Sequence, residues 1–503
     1  MEISRRVKFG YGVGHIFNDL CACLWFTYLL VYLQYVLQLE KATAGLLLLL
    51  GQVADAVATP FVGIQSDKGC RRGCWWTYGK RKTWHLIGTI LVLGSFPMVF
   101  IICYTCTQDL NHYAVLLAVM IVIFQFGWAS TQVSHLSLIP DLTTDENERD
   151  ELNIIRYFFD VSSDVLVYLV TWMVFTQEGE GFNSQIDPTD ARKFTIVTVV
   201  VVVVGSMTST LFHVLTPEKK TWETPPGTPT NDDDQPSYPL HRQHSSAAVH
   251  MSWKDWLTEP QFYQIAVLYT CSRLVGNLAN IFMPIYLQES IQAEETLIAL
   301  VPLVMSLSGV VASVLLKYLR KGVGKKLSMG IAIFLGMAAA MWSSMSDQEE
   351  WSVYCIAILW GLSGSLMIVL SLAFTSDLIG LCTSSSAFVY GCMSFWDKLI
   401  NGIIVFIIQK ITIYECRDID GREEDMDCSF YYRMVMSIGM MFPLIVALIG
   451  LSIVASSKLG QTRQLRKAPK AEDSSMGSQS TSDSSEILLL TGGQNYGYSS
   501  ITK

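Results

Sequence analysis

The chain has 503 residues, of which 51% are hydrophobic and only 16% are charged, and its mean hydropathy is +0.36. Soluble domains usually carry about 25% charged residues, so this composition excludes an ordinary soluble protein and predicts a membrane protein. The formal net charge of −9 excludes little by itself, because the charges are segregated between loops.

Twelve apolar stretches are long enough to cross a bilayer, because a transmembrane helix needs roughly 20 mostly apolar residues. We therefore predict an all-α membrane protein with about twelve transmembrane helices in two six-helix bundles. The predicted spans lie near residues 10–36, 43–64, 83–104, 113–137, 153–176, 194–215, 260–287, 296–317, 327–346, 351–375, 388–410 and 432–455.

A polar segment separates the two sets of spans. Residues 216–256 contain Pro, Gly and Asp runs but few large apolar residues, which is typical of disorder, although Trp253–Leu257 resembles a short interfacial helix. This pattern predicts an amino-terminal bundle over residues 1–215, a disordered linker, and a carboxyl-terminal bundle over residues 257–455. Residues 456–503 are rich in Ser and Gly towards their end and are predicted to form a disordered tail.

The distribution of charge predicts the orientation. Basic residues concentrate at the amino terminus, in the tail and in the loops after spans two and eight, for example residues 317–326, whereas the alternate loops are acidic. Because cytosolic loops carry the excess of Lys and Arg, both termini and the linker are predicted to be cytosolic. Basic loops at the same place in each half form a weak internal repeat, as expected of transporters built from two halves.

Two short features lie outside the spans. Cys416 and Cys428 share one acidic, non-cytosolic loop, where a disulfide and two free thiols are both compatible with the sequence. The tail carries an acidic dileucine pattern and a tyrosine-based pattern, which resemble endosomal sorting signals read by cytosolic adaptors. The residues that form these two patterns are Glu486, Leu488, Leu489, Tyr498 and Ile501.

Ionisable side chains inside the spans are the main functional signal, since each costs at least about 2.5 kcal/mol at the centre of a bilayer. Both signs occur in both halves, which favours a central aqueous cavity over a simple anchor. The candidates for substrate binding are Asp19, Asp55, Arg156, Arg273 and Lys398. The candidates for coupling or gating are Asp55, Asp67, Asp164, Asp377 and Asp397.

Some of these charges have a purely structural alternative. Asp160 or Asp164 could neutralise Arg156 within one helix, because the three residues are spaced by four and lie on one face. Asp397 and Lys398 could form an internal ion pair, but adjacent helical residues point about 100° apart, so separate partners are the alternative.

Two histidines within the spans have the same ambiguity. His15 lies four residues before Asp19 and shares its helix face, and His135 lies in span four. Either could relay protons, since histidine titrates near neutrality, or could be a hydrogen-bonded packing residue. Asp67 lies at the cytosolic end of span two, and this position favours a structural or gating role for it.

The sequence contains none of the common motifs of soluble enzymes. It lacks a phosphate-binding loop, a Gly-x-Ser-x-Gly motif and a His-Glu-x-x-His motif. We therefore predict no enzymatic activity, no cofactor, no bound metal and no nucleic-acid partner.

Several motifs resemble the glycoside–pentoside–hexuronide:cation symporter group of the major facilitator superfamily. They include Gly10–Gly14 with Asp19, Asp55 followed by Pro60, and the Tyr-Gly-Lys-Arg-Lys run at residues 78–82. The resemblance implies an alternating-access transporter.

Site residues follow from the same resemblance. It implies that Asp19, Arg156 and Lys398 line the central cavity and that Asp55 helps to hold a coupling cation. Two further carboxylates of the sugar symporters would fall near Thr59 and Gln132, and neither residue is acidic here. This departure favours proton coupling, or transport without ion coupling, over sodium coupling.

The chain resembles one branch of the superfamily more closely, and residues 45–55 and 124–140 carry this resemblance. It implies import of cysteine from the cytosol into lysosomes and melanosomes, with an effect on pigmentation and lumenal cystine. A zwitterion such as cysteine needs an acidic partner for its ammonium group and a basic partner for its carboxylate. The alternatives are a proton- or sodium-coupled sugar or lysolipid symporter, and a membrane receptor or scaffold that has lost transport.

Overall fold

The computed structural model describes residues 3–67, 78–101, 110–143, 145–177, 185–218, 251–345, 350–380, 386–415 and 428–455. Throughout these ranges the regular secondary structure is helical. Twelve helices are long and apolar enough to cross a membrane. The prediction of an all-α, twelve-span membrane protein is therefore confirmed.

Six of these helices form the amino-terminal half. They are α1 (Arg5–Val36), α2 (Lys41–Ser66), α3 (Lys80–Phe100), α4 (His112–Ser137), α5 (Glu151–Thr176) and α6 (Pro188–Leu215). The carboxyl-terminal half contains α7 (Pro260–Ile291), α8 (Glu295–Leu316), α9 (Tyr318–Met345), α10 (Trp351–Ile379), α11 (Phe388–Thr412) and α12 (Ser429–Ala455).

The basic segment between α8 and α9 differs from the predicted loop. Helical backbone runs from Glu295 to Met345, and the residue with non-helical angles inside it is Gly324, with φ 81° and ψ 168°. Lys and Arg are good helix formers, so the charged residues extend both helices and leave the turn to a glycine, which adopts positive φ without strain.

Helix α1 is interrupted just before the segment that carries His15 and Asp19. Regular α-helix covers Arg5–Val13 and Ile16–Cys23, and the wider π-helical turns Leu24–Tyr28 and Tyr32–Val36 follow. Such turns are frequent at functional sites. The interruption at Gly14 coincides with close packing, because a Cβ atom there would lie 2.4 Å from the Phe212 ring.

The two halves pack with α2 against α11, α5 against α8 and α1 against α7. Glycines permit the close approach of α2 and α11. A Cβ atom on Gly45 would lie 2.7 Å from Cβ of Gln409, and one on Gly402 would lie 3.0 Å from Cβ of Gln52. This seam brings the residues of the candidate site together across the halves.

The ends of the bundle differ in charge. We call the end that carries Lys8, Arg81 and Lys325 the basic end, and the opposite end, which carries Glu289 and Glu295, the acidic end. The positive-inside pattern predicts that the basic end faces the cytosol.

A short helix precedes the second half. Trp253–Leu257 is helical, with a capping box between Ser252 and Asp255. Trp253 is exposed, whereas Trp256 is buried beside the ring of Phe262, so the two tryptophans are not both at the surface as an interfacial helix would predict.

Several predictions fall on parts of the chain that lie outside the described residues. These are residues 219–250 of the linker, the tail with its sorting patterns, Cys416 and the side chain of Asp67. Cys428 is disulfide-bonded, and its pairing with Cys416 stays a prediction.

Candidate functional site

A buried ion pair joins the two halves near the middle of the bundle. Lys398 Nζ on α11 lies 2.5 Å from Asp55 Oδ2 on α2. Thr59, one turn after Asp55, donates its hydroxyl to Asp55 Oδ1 at 3.0 Å and accepts from Lys398 Nζ at 3.0 Å. Lys398 also lies 5.4 Å from the ring centroid of Trp128. Thr59 thus occupies, with a hydroxyl, a position where the resemblance to sugar symporters leads one to expect a carboxylate.

The neighbouring aspartate of the same helix pairs elsewhere. Asp397 Oδ2 lies 3.1 Å from Nε of Arg273 on α7, within the carboxyl-terminal half. Asp397 and Lys398 therefore have separate partners, which is one of the two alternatives that the sequence leaves open. Oδ1 of Asp397 is buried without a hydrogen-bond partner.

A second charged cluster lies in the amino-terminal half, between α1 and α5. His15 Nδ1 and Asp19 Oδ1 are 2.6 Å apart, as their four-residue spacing predicts. Asp19 interacts electrostatically with Arg156 of α5 and shares a hydrogen bond between carboxyl groups with Asp160, and Asp160 interacts electrostatically with Arg273. The last interaction connects the two clusters across the halves.

Two atoms of this cluster are available to a ligand. Nε of Arg156 and Oδ2 of Asp19 are buried without a hydrogen-bond partner, and no ion pair of Arg156 occurs among the described side chains. The alternative in which Asp160 or Asp164 neutralises Arg156 by direct contact therefore does not describe this structure. One donor and one acceptor of opposite charge thus belong to the same electrostatically interacting cluster.

Asp164 lies deeper in the same helix. It interacts with Asp160 and Asp19, and its carboxyl lies close to the thiol of Cys23. Tyr168, one turn further, shares a 3.0 Å hydrogen bond with Thr27. These contacts extend the polar face of α5 along α1.

A narrow crevice between α1, α2 and α4 reaches the central pair. Its polar lining is Gln52, Asp55 and Gln125, and aromatic rings such as those of Trp25 and Trp128 complete it. Asp55 therefore connects the crevice with Lys398.

The remaining gating candidates lie at the basic end. Asp377 accepts from Lys325 Nζ at 2.6 and 2.7 Å, which joins α10 to α9 within one half. The helix that contains α2 ends at Asp67.

Ion pairs join the halves at the acidic end. Lys193 on α6 donates to both carboxylate oxygens of Glu295 on α8, at 2.7 and 2.8 Å, and both residues are buried. Lys41 lies 3.0 Å from Glu289. These contacts close the acidic end.

Neutral contacts reinforce this closure. Gln34 donates to Gln409 at 2.7 Å, and Tyr35 donates to Glu289 at 2.6 Å. Gln288 of α7 exchanges hydrogen bonds with the backbone of Ile186, which precedes α6. All three contacts cross between the halves.

The basic end has a different pattern. Lys8 pairs with Glu148 and Glu151, and Arg81 pairs with Asp141, in each case within the amino-terminal half. Among the side chains that the structure describes, no ion pair joins the halves at this end. The ion pairs that the described side chains form between the halves thus lie at the acidic end and at the central Asp55–Lys398 pair.

Sequence reasoning missed two residues of a buried histidine cluster. His85 on α3 and His213 on α6 lie beside His135, with ring centroids 6.1 Å apart for His85 and His135 and 4.9 Å for His85 and His213. His85 lies near the start of a predicted span and His213 near the end of another, where a histidine looks like an interfacial residue. No local spacing connects residues that are this distant in sequence.

The family follows from comparison with known proteins. The sequence pattern of the family described as MFS/sugar transport protein matches residues 10–459. The chain belongs to this family of the major facilitator superfamily. Its relatives include Major facilitator superfamily domain-containing protein 12 of Homo sapiens, which is 41% identical over 423 residues, covering 81% of this chain and 85% of that protein. The Mus musculus protein of the same name is 39% identical, covering 81% and 86%.

Solved structures share the fold. A crystal structure of a D-xylose–proton symporter superposes with a TM-score of 0.63 at 10% identity, covering 91% of this chain and 98% of that one. The xylose transporter XylE from E. coli superposes with a TM-score of 0.59 at 11% identity, covering 87% and 95%. At such identity the likeness establishes the fold alone, and it agrees with membership of this transporter family.

Proposed function

We propose that the protein imports cysteine from the cytosol into the lumen of lysosomes and melanosomes by alternating access. The proposal rests on the resemblance of residues 45–55 and 124–140 to one branch of the superfamily and on the charges of the candidate site. Transport involves no covalent step, so we expect no enzymatic activity. The tail patterns make endolysosomal sorting adaptors the expected partners.

The observation that carries the proposal is the free pair of atoms beside α5. Asp19 Oδ2 is a buried acceptor and Arg156 Nε a buried donor, and neither atom has a hydrogen-bond partner among the described residues, although the Asp19 carboxyl also lies beside that of Asp160. An α-amino acid presents an ammonium group and a carboxylate on adjacent carbons, so it satisfies both at once. A buried polar group left unsatisfied costs about 1–3 kcal/mol, which such a ligand would recover.

The closed acidic end supports loading from the opposite side. With Lys193 bound to Glu295 across the halves, substrate reaches the site from the basic end, which the charge pattern assigns to the cytosol. Rocking of residues 1–215 against residues 257–455 would then break the acidic-end contacts and release substrate to the lumen.

The pair of Asp55 and Lys398 is the first candidate for energy coupling. Protonation of Asp55 would remove the charge that holds Lys398, and the contact between α2 and α11 would weaken. Binding of a proton by Asp55 would in this way release the contact between the halves. Asp19 is the second candidate, because it interacts with Arg156 and with His15.

The test is uptake of labelled cysteine into lysosomes isolated from cells with and without this chain, over a range of lumenal pH. We expect uptake to require the chain and to depend on the pH gradient. Serine, which has the same zwitterion without a thiol, is the matched competitor that measures thiol selectivity.

Two outcomes would overturn the proposal. Equal uptake by both kinds of lysosome, with the protein verified in the organelle, would exclude cysteine import. Complete competition by an unlabelled sugar or a lysolipid would assign the site to those substrate classes. Absence of flux for all of these substrates would favour the receptor or scaffold.

A further inference from the structure

Four buried or half-buried histidines form a continuous track through the amino-terminal half. His15, His135, His85 and His213 come from α1, α4, α3 and α6. The ring centroids of successive residues are 5.1, 6.1 and 4.9 Å apart. The chain has 8 histidines in all, so half of them lie in this one place.

The ends of the track differ in chemistry. At the inner end His15 Nδ1 lies 2.6 Å from Asp19, a residue of the candidate substrate site. At the outer end His213 Nδ1 lies 2.8 Å from the hydroxyl of Tyr78, which is exposed at the basic end. The histidines thus link the candidate site with the surface.

Hydrogen bonds at the outer end define the direction of donation. His85 Nε2 lies 3.1 Å from the carbonyl oxygen of Gly14, and a carbonyl only accepts, so this nitrogen carries the proton. His85 Nδ1 must then accept from His213 Nε2, 3.1 Å away. His213 Nδ1 in turn accepts from Tyr78. This is an ordered chain of donors and acceptors that a proton can enter and reverse.

The middle of the track contains two free nitrogens. His135 Nε2 donates to the carbonyl oxygen of Tyr11 at 2.7 Å, which leaves Nδ1 as an acceptor. His135 Nδ1 and His15 Nε2 are both buried without a hydrogen-bond partner. Two facing rings with one unused nitrogen each suit a proton that is shared between them, directly or through one water.

Neighbouring charges oppose a resident proton at both ends. Arg156 interacts electrostatically with His15 and His135, with Asp160 beside it as a counter-charge. Lys82 Nζ donates to the carbonyl oxygen of His213 at 3.0 Å. A proton is therefore disfavoured as a fixed charge in the track, apart from the attraction of Asp19, so these histidines do not store one.

Glu218 moderates the charge at the outer end. Its carboxylate accepts from the backbone N–H groups of Arg81 and Lys82, at 3.1 and 2.9 Å.

Within the described residues no group of three or more His, Cys, Asp or Glu side chains could hold a metal ion, which argues against metal binding as the role of the track.

We propose that these four histidines and Tyr78 form a proton path between Asp19 and the basic end of the bundle. The inference rests on the proposed transport function and adds the route by which the coupling ion reaches the site. From Tyr78 to His213 and on to His85, each step moves one proton along a hydrogen bond to the next acceptor nitrogen. His85 and His135 share no hydrogen bond, so at this step the His85 Nε2 proton leaves the carbonyl oxygen of Gly14 and crosses to His135 Nδ1, directly or through one water. Reorientation of the rings then restores the original hydrogen bonds for the next proton.

The experiment uses the full chain in proteoliposomes. His85→Gln and His213→Gln each keep one donor and one acceptor but cannot take up a proton. The matched control is His112→Gln, at an exposed histidine at the start of α4 and the acidic end. The first readout is the charge displacement after a pH jump on a solid-supported membrane without substrate. The others are gradient-driven cysteine uptake and cysteine exchange at equal pH.

We expect the two Gln variants to lose at least about tenfold in charge displacement rate and in gradient-driven uptake, since a positioned proton-transfer group is worth about 10²–10⁴-fold. Exchange at equal pH, which needs no net proton movement, should stay within about threefold of the wild type, a small change on the same scale. The control should match the wild type in all three readouts.

Defined results would overturn the path. The first is that the Gln variants show the same charge displacement as the wild type. The second is that cysteine exchange falls in these variants as much as charge displacement does. The third is that cysteine uptake by the wild type does not depend on the pH gradient. If the Gln variants do not fold, the test uses Tyr78→Phe at the exposed end of the track. An unchanged charge displacement in this variant would count against the path. A wild-type displacement without any cysteine flux would instead reject the cargo and keep the path.

Discussion

Lys193 and Glu295 form a bidentate ion pair that is buried between the two halves at the acidic end. Asp190, at 3.0 Å, gives Lys193 a second carboxylate from its own half. Removing one partner of a buried pair costs about 3–5 kcal/mol, because the other charge is left without compensation. We therefore expect this pair to contribute substantially to the stability of the closed state.

The first prediction is that Lys193→Met opens the acidic end. The cost falls on the closed state alone, so the population with separated acidic ends should rise at least about tenfold. Pulsed electron–electron resonance between labels introduced as unnatural amino acids at Thr189 and Gln292, both exposed, measures the separation. Lys325→Met is the matched control, because its partner Asp377 lies in the same half, and an equal shift in that control would contradict the prediction.

The second prediction concerns the central pair. Asp55→Asn should abolish gradient-driven uptake and lower the amount of folded protein, because Lys398 loses its counter-charge in a buried place. The double variant Asp55→Asn with Lys398→Met removes both charges and should recover folded protein without recovering transport. Fluorescence size-exclusion profiles and uptake measure the two effects. Wild-type transport by Asp55→Asn would remove Asp55 from the mechanism.

The third prediction tests how the substrate lies in the site. Wild-type protein should prefer cysteine to cysteamine, which lacks the carboxylate. Arg156→Gln should lose this preference by about 10–100-fold, the value of a hydrogen bond to a charged group at roughly 1.5–3 kcal/mol.

Competition of each compound against labelled cysteine measures the preference in both proteins. Arg273→Gln serves as the comparison. It leaves Asp397 without its partner and should lower the amount of folded protein while keeping the preference. A preference that survives in Arg156→Gln would assign the carboxylate to another residue.

The fourth prediction concerns the α2–α11 seam. Gly45→Ala places a Cβ atom 2.7 Å from Cβ of Gln409, so the helices must separate and the hydrogen bond between Gln34 and Gln409 must lengthen. Uptake should fall several-fold as the closed state loses packing, an effect of about 1–3 kcal/mol. Gly94→Ala, where no atom lies within 4 Å, is the control. A similar loss of uptake in both variants would reject this explanation.

The sequence by itself determined the architecture. Length of apolar stretches predicts twelve spans, since a bilayer core demands roughly 20 apolar residues per helix, and all twelve occur. Local spacing also predicted the contact of His15 with Asp19, because residues four apart lie on one helix face. The helix boundaries differ from the predicted ones where charged residues continue a helix, as they do between α8 and Gly324.

Only the tertiary structure decided which charges meet. Asp55 and Lys398 are more than 300 positions apart, and their contact exists because glycines let α2 and α11 approach. The same holds for Lys193 with Glu295, and for His85 with His213. Helical periodicity fixes which face a side chain occupies, but the partner of that face is set by the packing of distant helices, which no local pattern encodes.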